Sequence, residues 1–280
     1  LNNTGQTGGT TDADIDAVEA WDNTTGSSSI ILAIIDSGTD WTHEDIGDAT
    51  KTYNNLYFNP GEDAWSIDPL TNQWNPSSGN GIDDDGNGYI DDWIGWDFHN
   101  NNNDSRGTES HGTLVAGVAG AKTNNGIGIA GVTGGWGAKG IKLMILGIGD
   151  ANPDGSVLDD AILYACSKGA KIISLSLSVN QTAAIDAALS AAYLSYGCFI
   201  NAGSGNAGGA VEYPAANQYC LAVGATDHND VRASFSNYGS SLAVVAPGVN
   251  IFSTSLNNTY ASGDGTSIAS PYVAGIAALC

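Results

Sequence analysis

Three observations predict a three-layer α/β fold with a mainly parallel central sheet flanked by helices. Strand-like runs are apolar on both faces, as in a sheet covered on both sides. They alternate with Ala-, Leu- and Val-rich stretches at helical spacing, as parallel strands joined by crossover helices require. No internal repeat and no Pro- or Ser-rich linker divides the 280 residues, so one domain over 1–280 is expected.

The first strand is read at Ile30–Asp36 and ends in Asp-Ser-Gly. From Lys51 to Thr108 the pattern gives way to Asn, Asp, Gly and Trp. Structureless loops beyond roughly 12–15 residues are uncommon without a function, so a metal is expected to organise this 51–108 insertion. A helix follows at His111–Ala121, then a strand at Ile141–Leu146 and a helix at Val157–Lys168. The strand Lys171–Leu177 leads to a helix at Thr182–Tyr196, then to strands at Cys198–Ala202, Leu221–Ala225 and Leu242–Val245. A last helix is read at Ser267–Cys280. Ser or Thr caps open three of the four helices, and the crossovers are expected to be right-handed.

Eight Lys and Arg against thirty Asp and Glu give a net charge of −22. That balance excludes nucleic acid and anionic membranes as partners and favours cations. With 42% hydrophobic and only 14% charged residues, the chain is a turn-rich globule, not an acidic disordered tail. Its apolar runs fall far short of the roughly 20 residues of a membrane span. Cys166, Cys198, Cys220 and Cys280 sit in apolar runs, where one disulfide or buried thiols are equally compatible with the sequence. The chain opens at Leu1 without Met or a signal segment, which is the expectation for a processed or trimmed start.

In a parallel sheet, reactive side chains belong at the carboxyl ends of strands and at the starts of the helices that follow. Three residues fit: Asp36 at the end of the first strand, His111 in Ser110-His111-Gly112-Thr113, and Ser267 in Gly265-Thr266-Ser267-Ile268-Ala269-Ser270-Pro271. A Ser hydroxyl is a weak nucleophile until a base takes its proton, and the base needs a carboxylate to fix its tautomer. Alone, each residue reads as an N-cap, a turn former or a structural His. The order Asp, His, Ser is a known order for such a triad, whereas a lipase-type esterase would place His last. His43, His99 and His228 lack comparable neighbours and are read as structural or surface residues. Two Gly-x-Gly-x-x-Gly matches, at Gly126 and Gly135, neither follow a strand nor open a helix and are decoys.

On Asp36-Ser37-Gly38, His111-Gly112-Thr113-x-Val115-Ala116-Gly117, Gly205-Asn206 and Gly265-Thr266-Ser267-x-Ala269-Ser270-Pro271, the chain resembles the subtilase family of serine proteases along essentially its whole length. The resemblance implies a secreted endopeptidase that works on polypeptides through an acyl-enzyme, as a monomer, with a prodomain inhibitor and no catalytic cofactor. It implies that Asn206 is a side-chain donor to the oxyanion and that Ser176, Leu177 and Ser178 line the substrate cleft, where a peptide docks by strand addition. Several positions depart from the family pattern. Ile268 replaces the usual Met after the nucleophile, Tyr272 and Leu114 replace His, and Ser178-Val179 replaces Gly-Gly on the cleft strand. Family members usually continue beyond the nucleophile's helix, so the chain ending at Cys280 is expected to lack the last elements.

Glu212 matches the floor of the family's primary pocket, where a carboxylate favours Lys or Arg before the cut. Independently of the resemblance, Asp83-x-Asp85-x-Asn87-Gly88-Tyr89-Ile90-Asp91 reproduces the first five oxygen positions of a calcium loop. Ile94 stands where its bidentate Glu would be, so Asp92, Asp97 or water must close the shell. The resemblance adds a second structural Ca2+ site at Asp45 and Asn125, with the carbonyls of Ile127 and Ile129. Two other functions compete with a general endopeptidase: a catalytically silent calcium-binding module, and a narrow processing protease with a basic preference before the cut.

Overall fold

A computed structural model describes residues 1–5, 8–49, 54–150 and 152–280. The elements in chain order are α1 (Ala17–Trp21), β1 (Ile31–Asp36), β2 (Trp96–Asp97), α2 (His111–Gly120), β3 (Lys142–Gly147), α3 (Leu158–Ser167) and β4 (Ile172–Leu175). They continue with α4 (Ala183–Leu194), β5 (Phe199–Gly203), β6 (Leu221–Thr226), β7 (Leu242–Pro247), β8 (Ile251–Ser255), β9 (Thr259–Gly263) and α5 (Thr266–Leu279). Seven strands form one sheet in the order β2-β3-β1-β4-β5-β6-β7, and every pairing in it is parallel.

Alternation along β1 shows why the sheet must be covered twice. Leu32 and Ile34 pack on one face with Val115 and Val118 of α2 and Ile268 of α5. Ala33 and Ile35 pack on the other with Ile162 of α3 and Leu189 of α4. Each fully buried Ile or Leu contributes about 1.5–3 kcal/mol relative to exposure, so neither face can stay bare. The result is the three-layer α/β arrangement expected from the sequence.

Several features depart from the sequence reading. The short helix α1 carries no signal in it, and of the expected Ser or Thr caps only Thr182 acts, accepting from Ile185 N at 3.2 Å, whereas Ser110 makes no cap bond and Gly265 precedes α5. β8 and β9 form an antiparallel hairpin whose Ser- and Thr-rich strands carry no apolar alternation. It is bound to α2 through side chains, Ser253 Oγ donating to Leu114 O at 2.8 Å and Thr254 Oγ1 to Thr113 O at 2.7 Å. The insertion contains a 3-10 turn at Pro76–Ser78 and the two residues of β2. It is organised at least in part by aromatic packing, with ring centroids 5.9 Å apart for Trp41 and Trp65, 4.6 Å for Phe58 and Trp93, and 5.2 Å for Phe58 and Trp74. Lys51 to Tyr53, at its start, lie outside the described residues.

All four cysteines are free thiols. Cys166 at the end of α3 and Cys198 before β5 are buried neighbours, with Sγ atoms 3.7 Å apart.

Candidate active site

Asp36 ends β1 and is 4% exposed. Its Oδ1 accepts from its neighbour Ser37 N at 2.7 Å and faces Nδ1 of His111 at 2.7 Å. The glycines around it permit this approach. Gly38 has φ +89°, and a Cβ there would lie 2.6 Å from Gly107 N and Ser105 O. A Cβ on Gly112 would collide with the carbonyl oxygen of Gly38. The start of α2 is further held by Ser37 Oγ, which accepts from Gly112 N at 3.0 Å, and by Thr113 Oγ1, which accepts from Asp40 N at 2.9 Å. The Asp36 carboxylate raises the pKa of His111 above its ordinary value, against the opposing effect of burial, with smaller contributions from their hydrogen bond and from Glu109.

Ser267 is the second residue of α5, at a helix start whose first N–H groups no helical carbonyl can reach. Four residues from the sheet and its loops fix this helix. Asn201 Nδ2 donates to Ser270 O at 2.9 Å and Ser270 Oγ at 2.7 Å, and Gly205 N donates to Thr266 Oγ1 at 3.0 Å. Asn206 Oδ1 accepts from Thr266 N at 2.9 Å. Ser176 Oγ donates to Ser267 O at 2.7 Å. That last bond has a covalent cause, because Pro271 lies four residues on and has no N–H to offer the Ser267 carbonyl. Ser176, expected to line the cleft, therefore also positions the helix that carries Ser267.

Because its oxygen faces Thr266, the Asn206 amide turns Nδ2 the other way. A Cβ built on Gly265 would lie 2.9 Å from Ser267 Oγ and 3.5 Å from Asn206 Nδ2, so the Ser267 hydroxyl and the Asn206 amide flank one point. His111, Ser267, Asn206, Leu177, Ser178 and Glu212 all line one cavity of about 360 Å³. Glu212 turns its carboxylate toward Gly205, where a Cβ would lie 2.7 Å from Oε2, and that carboxylate accepts no hydrogen bond among the described residues. The expected catalytic and cleft residues thus converge. His43 is buried, with Nδ1 accepting from Asp45 N at 3.1 Å and Nε2 facing Thr259 O at 2.9 Å, a structural role.

The expected metal ligands divide. Asp45 is fully buried beside Asn125, whose Nδ2 donates to Asp45 Oδ1 at 2.6 Å, and Ile129 N donates to Oδ2 at 2.9 Å. Ile127 N donates to Asn125 Oδ1 at 3.1 Å, so N–H groups of this loop face the side-chain oxygens. Burial raises the Asp45 pKa despite these bonds. In the acidic loop, Asp83 accepts from Asn87 N and Gly88 N, Asp85 Oδ1 also accepts from Asn87 N, and Asn87 Oδ1 accepts from Tyr89 N. Asp91 faces away, its Oδ2 accepting from Gly81 N at 3.0 Å. Asp97 caps Asn100 instead of joining the loop.

Asp92, one of the possible closers, meets Asp85 and Glu62 with carboxylate oxygens within 4.8 Å of one another. Glu62 escaped the sequence reading because it precedes the motif by some twenty positions and follows no spacing rule. It is 8% exposed, and its buried Oε2 has no hydrogen-bond partner. Burial raises the pKa of both Glu62 and Asp92, while Lys168 and Asn59 hold Asp85 below its ordinary value. Three carboxylates with an orphaned oxygen fit a hard, oxygen-seeking cation such as Ca2+. The ammonium of Lys168, paired with Asp85, supplies part of the compensating charge.

Comparison with known proteins agrees with this geometry. The family model of the subtilase family matches residues 27–280. The thermophilic serine proteinase of Bacillus sp. (strain AK1) is 38% identical over 265 residues, covering 93% of this chain and 54% of that protein. Thermitase of Thermoactinomyces vulgaris is 42% identical over 191 residues, 66% of each protein. Halolysin of Haloferax mediterranei is 34% identical over 267 residues, 95% of this chain and 44% of that protein. The chain thus spans roughly half to two thirds of the length of these relatives. On the family match and the shared sequence, the chain belongs to the subtilase family.

Proposed function

We propose that this chain is a secreted serine endopeptidase that hydrolyses peptide bonds through Asp36, His111 and Ser267. The observation carrying this reading is the 2.7 Å contact between Asp36 Oδ1 and His111 Nδ1 at the edge of the cavity that holds Ser267 and Asn206. His111 accepts the Ser267 hydroxyl proton as Oγ attacks the scissile carbonyl, and Asp36 stabilises the resulting imidazolium. Asn206 Nδ2 and the Ser267 N–H take the negative oxygen of the tetrahedral intermediate. On collapse, His111 returns the proton to the leaving amine, and water then hydrolyses the acyl-enzyme by the same path. The Asp36–His111 contact and the shared cavity of His111, Ser267 and Asn206 favour this reading over a silent calcium-binding module.

Glu212 supports a basic preference before the cut. Its half-buried carboxylate lines the Ser267 cavity without a partner, and a cation meeting it there would recover part of its lost solvation. Calcium would be structural. Glu62, Asp85 and Asp92, with Asp83, Asn87 and the Tyr89 carbonyl, would hold one ion in the insertion; at Asp45 the Asn125 amide N–H and the Ile129 N–H meet the carboxylate, and a second ion there would need Asn125 Oδ1 and the Ile127 and Ile129 carbonyls to replace them. Bound Ca2+ would offset carboxylate repulsion in a chain of net charge −22. Hydrolysis of chromogenic peptides ending in Lys, Phe or Leu tests the reading. Turnover that requires Ser267 and is fastest after Lys is expected; equal or faster cleavage after Phe sinks the basic preference, and no turnover of any peptide sinks the peptidase.

A further inference from the structure

Two thiols meet outside the active site and outside the acidic loops. Cys166 lies in the last turn of α3 and Cys198 directly before β5, and their sulfurs are in contact at 3.7 Å. Both belong to the apolar layer that α3 and α4 build on one face of the sheet, and they are 4% and 2% exposed. We propose that Cys166 and Cys198 are a modification site, where a small-molecule or dithiol-oxidoreductase disulfide oxidises them to a bridge that staples α3 to β5. Cys220 and Cys280 make no comparable contact among the described residues.

A lone buried Cys packs as a small hydrophobe. Two that face each other across 32 residues of chain are also bridgeable, provided the main chain need not move. Here it is held on both sides. Cys166 O accepts from Gly169 N at 3.0 Å, Cys198 N donates to Ala192 O at 2.9 Å, and Phe199 N donates to Lys171 O at 2.9 Å. With these atoms fixed, rotation about the two Cα–Cβ bonds brings the sulfurs to the bonding distance of about 2.05 Å, each moving by about 0.8 Å. Cys198 Sγ gives up its donation to Ala170 O at 3.2 Å, a small loss because a thiol is a weak donor.

The chemistry is two successive thiol–disulfide exchanges. One cysteine thiolate attacks a sulfur of the donor, so a mixed disulfide forms, the donor S–S bond breaks and the departing sulfur takes up a proton. The second cysteine, as its thiolate, then attacks the protein sulfur of the mixed disulfide. That step forms the Cys166–Cys198 bond and releases the other donor sulfur as a thiol. Two protein thiols are oxidised and one donor disulfide is reduced to two thiols. Because both sulfurs are buried in the folded chain, the first exchange precedes the closing of α3 and α4 over the sheet, and the finished bridge is shielded from reductants. It also braces the helix whose Tyr164 and Lys168 hold Asp92 and Asp85.

The test folds the chain, carrying Ser267→Ala to prevent self-digestion, either with a mixture of oxidised and reduced glutathione or with dithiothreitol. Each product is unfolded in guanidinium with iodoacetamide and mapped by mass spectrometry without reductant, and its Tm is measured before unfolding. After folding with the disulfide donor, Cys166 and Cys198 should escape alkylation and appear as one linked peptide. Closing a loop of this length should raise Tm by about 5–15 °C over the reduced form. In Cys166→Ala and in Cys198→Ala the two treatments should give the same Tm. The linked peptide is read on the unaltered pair, so it decides the matter whether or not these variants fold. Alkylation of both Cys166 and Cys198 after folding with the donor, a link of either to Cys220 or Cys280, or a Tm equal in both treatments overturns the proposal. None of these readouts uses turnover, so failure of the peptidase reading leaves them standing.

Discussion

Ser176 and Pro271 form a pair whose coupling can be measured. The Ser267 carbonyl loses its helical donor because Pro271 has no N–H, and the Ser176 hydroxyl replaces that donor at 2.7 Å from a site only 5% exposed. Ser176→Ala leaves the carbonyl unsatisfied and shielded from water, at a cost of about 1–3 kcal/mol. For a domain of this size that is a Tm loss of about 2–10 °C. Pro271→Ala introduces an amide N–H in helical register with the same carbonyl. In that background the cost of Ser176→Ala should fall below about 0.5 kcal/mol. Urea unfolding at fixed calcium, in a Ser267→Ala background that prevents self-digestion, gives all four corners of the cycle. An equal cost of Ser176→Ala with and without Pro271 would refute the reasoning.

Other expectations concern the proton path, the oxyanion and the metal. Asp36 is the main cause of the raised His111 pKa, and the base must be neutral to act, so kcat/KM should rise with pH through a midpoint above the ordinary 6.5 of His. Asp36→Asn removes that cause: a kcat/KM profile should show the midpoint moving to lower pH and the plateau falling about 10⁴-fold. On the proposed oxyanion role, Asn206→Ala should lower kcat by about 10²–10³ with little change in KM, as steady-state kinetics would show. Chelation should lower Tm, by the equivalent of about 2.7 kcal/mol if calcium had been present at a hundredfold its Kd. Glu62→Gln should reduce this calcium dependence, and unchanged dependence in differential scanning calorimetry would remove Glu62 from the site.

The sequence was most legible where one physical constraint dominates. Apolar content on both faces marks β1 and its parallel neighbours, because a doubly covered sheet tolerates little polarity. Asp36, His111 and Ser267 were legible because their glycine neighbours are compelled by close backbone approach. The β8–β9 hairpin was not, since Ser253 and Thr254 stabilise it through hydrogen bonds to α2 and leave no period-2 signature. Glu62 was missed for a related reason. It matters through what folding places beside it, and an isolated carboxylate in a chain with thirty of them carries no signal. The acidic loop was half legible: its turn positions Asp83, Asp85 and Asn87 follow a spacing rule, whereas the exchange of Asp91 for Asp92 depends on packing against Tyr164, whose hydroxyl donates to Asp92 at 2.6 Å.

Whether Ser267 is an activated nucleophile can be read in one step. The protein is treated with a fluorophosphonate probe, with calcium and after chelation, and analysed by intact mass and peptide mapping. A single adduct on Ser267, formed with calcium, diminished after chelation and absent in His111→Ala, is the predicted result. A folded, calcium-loaded protein that forms no adduct, or one that labels elsewhere, would contradict it.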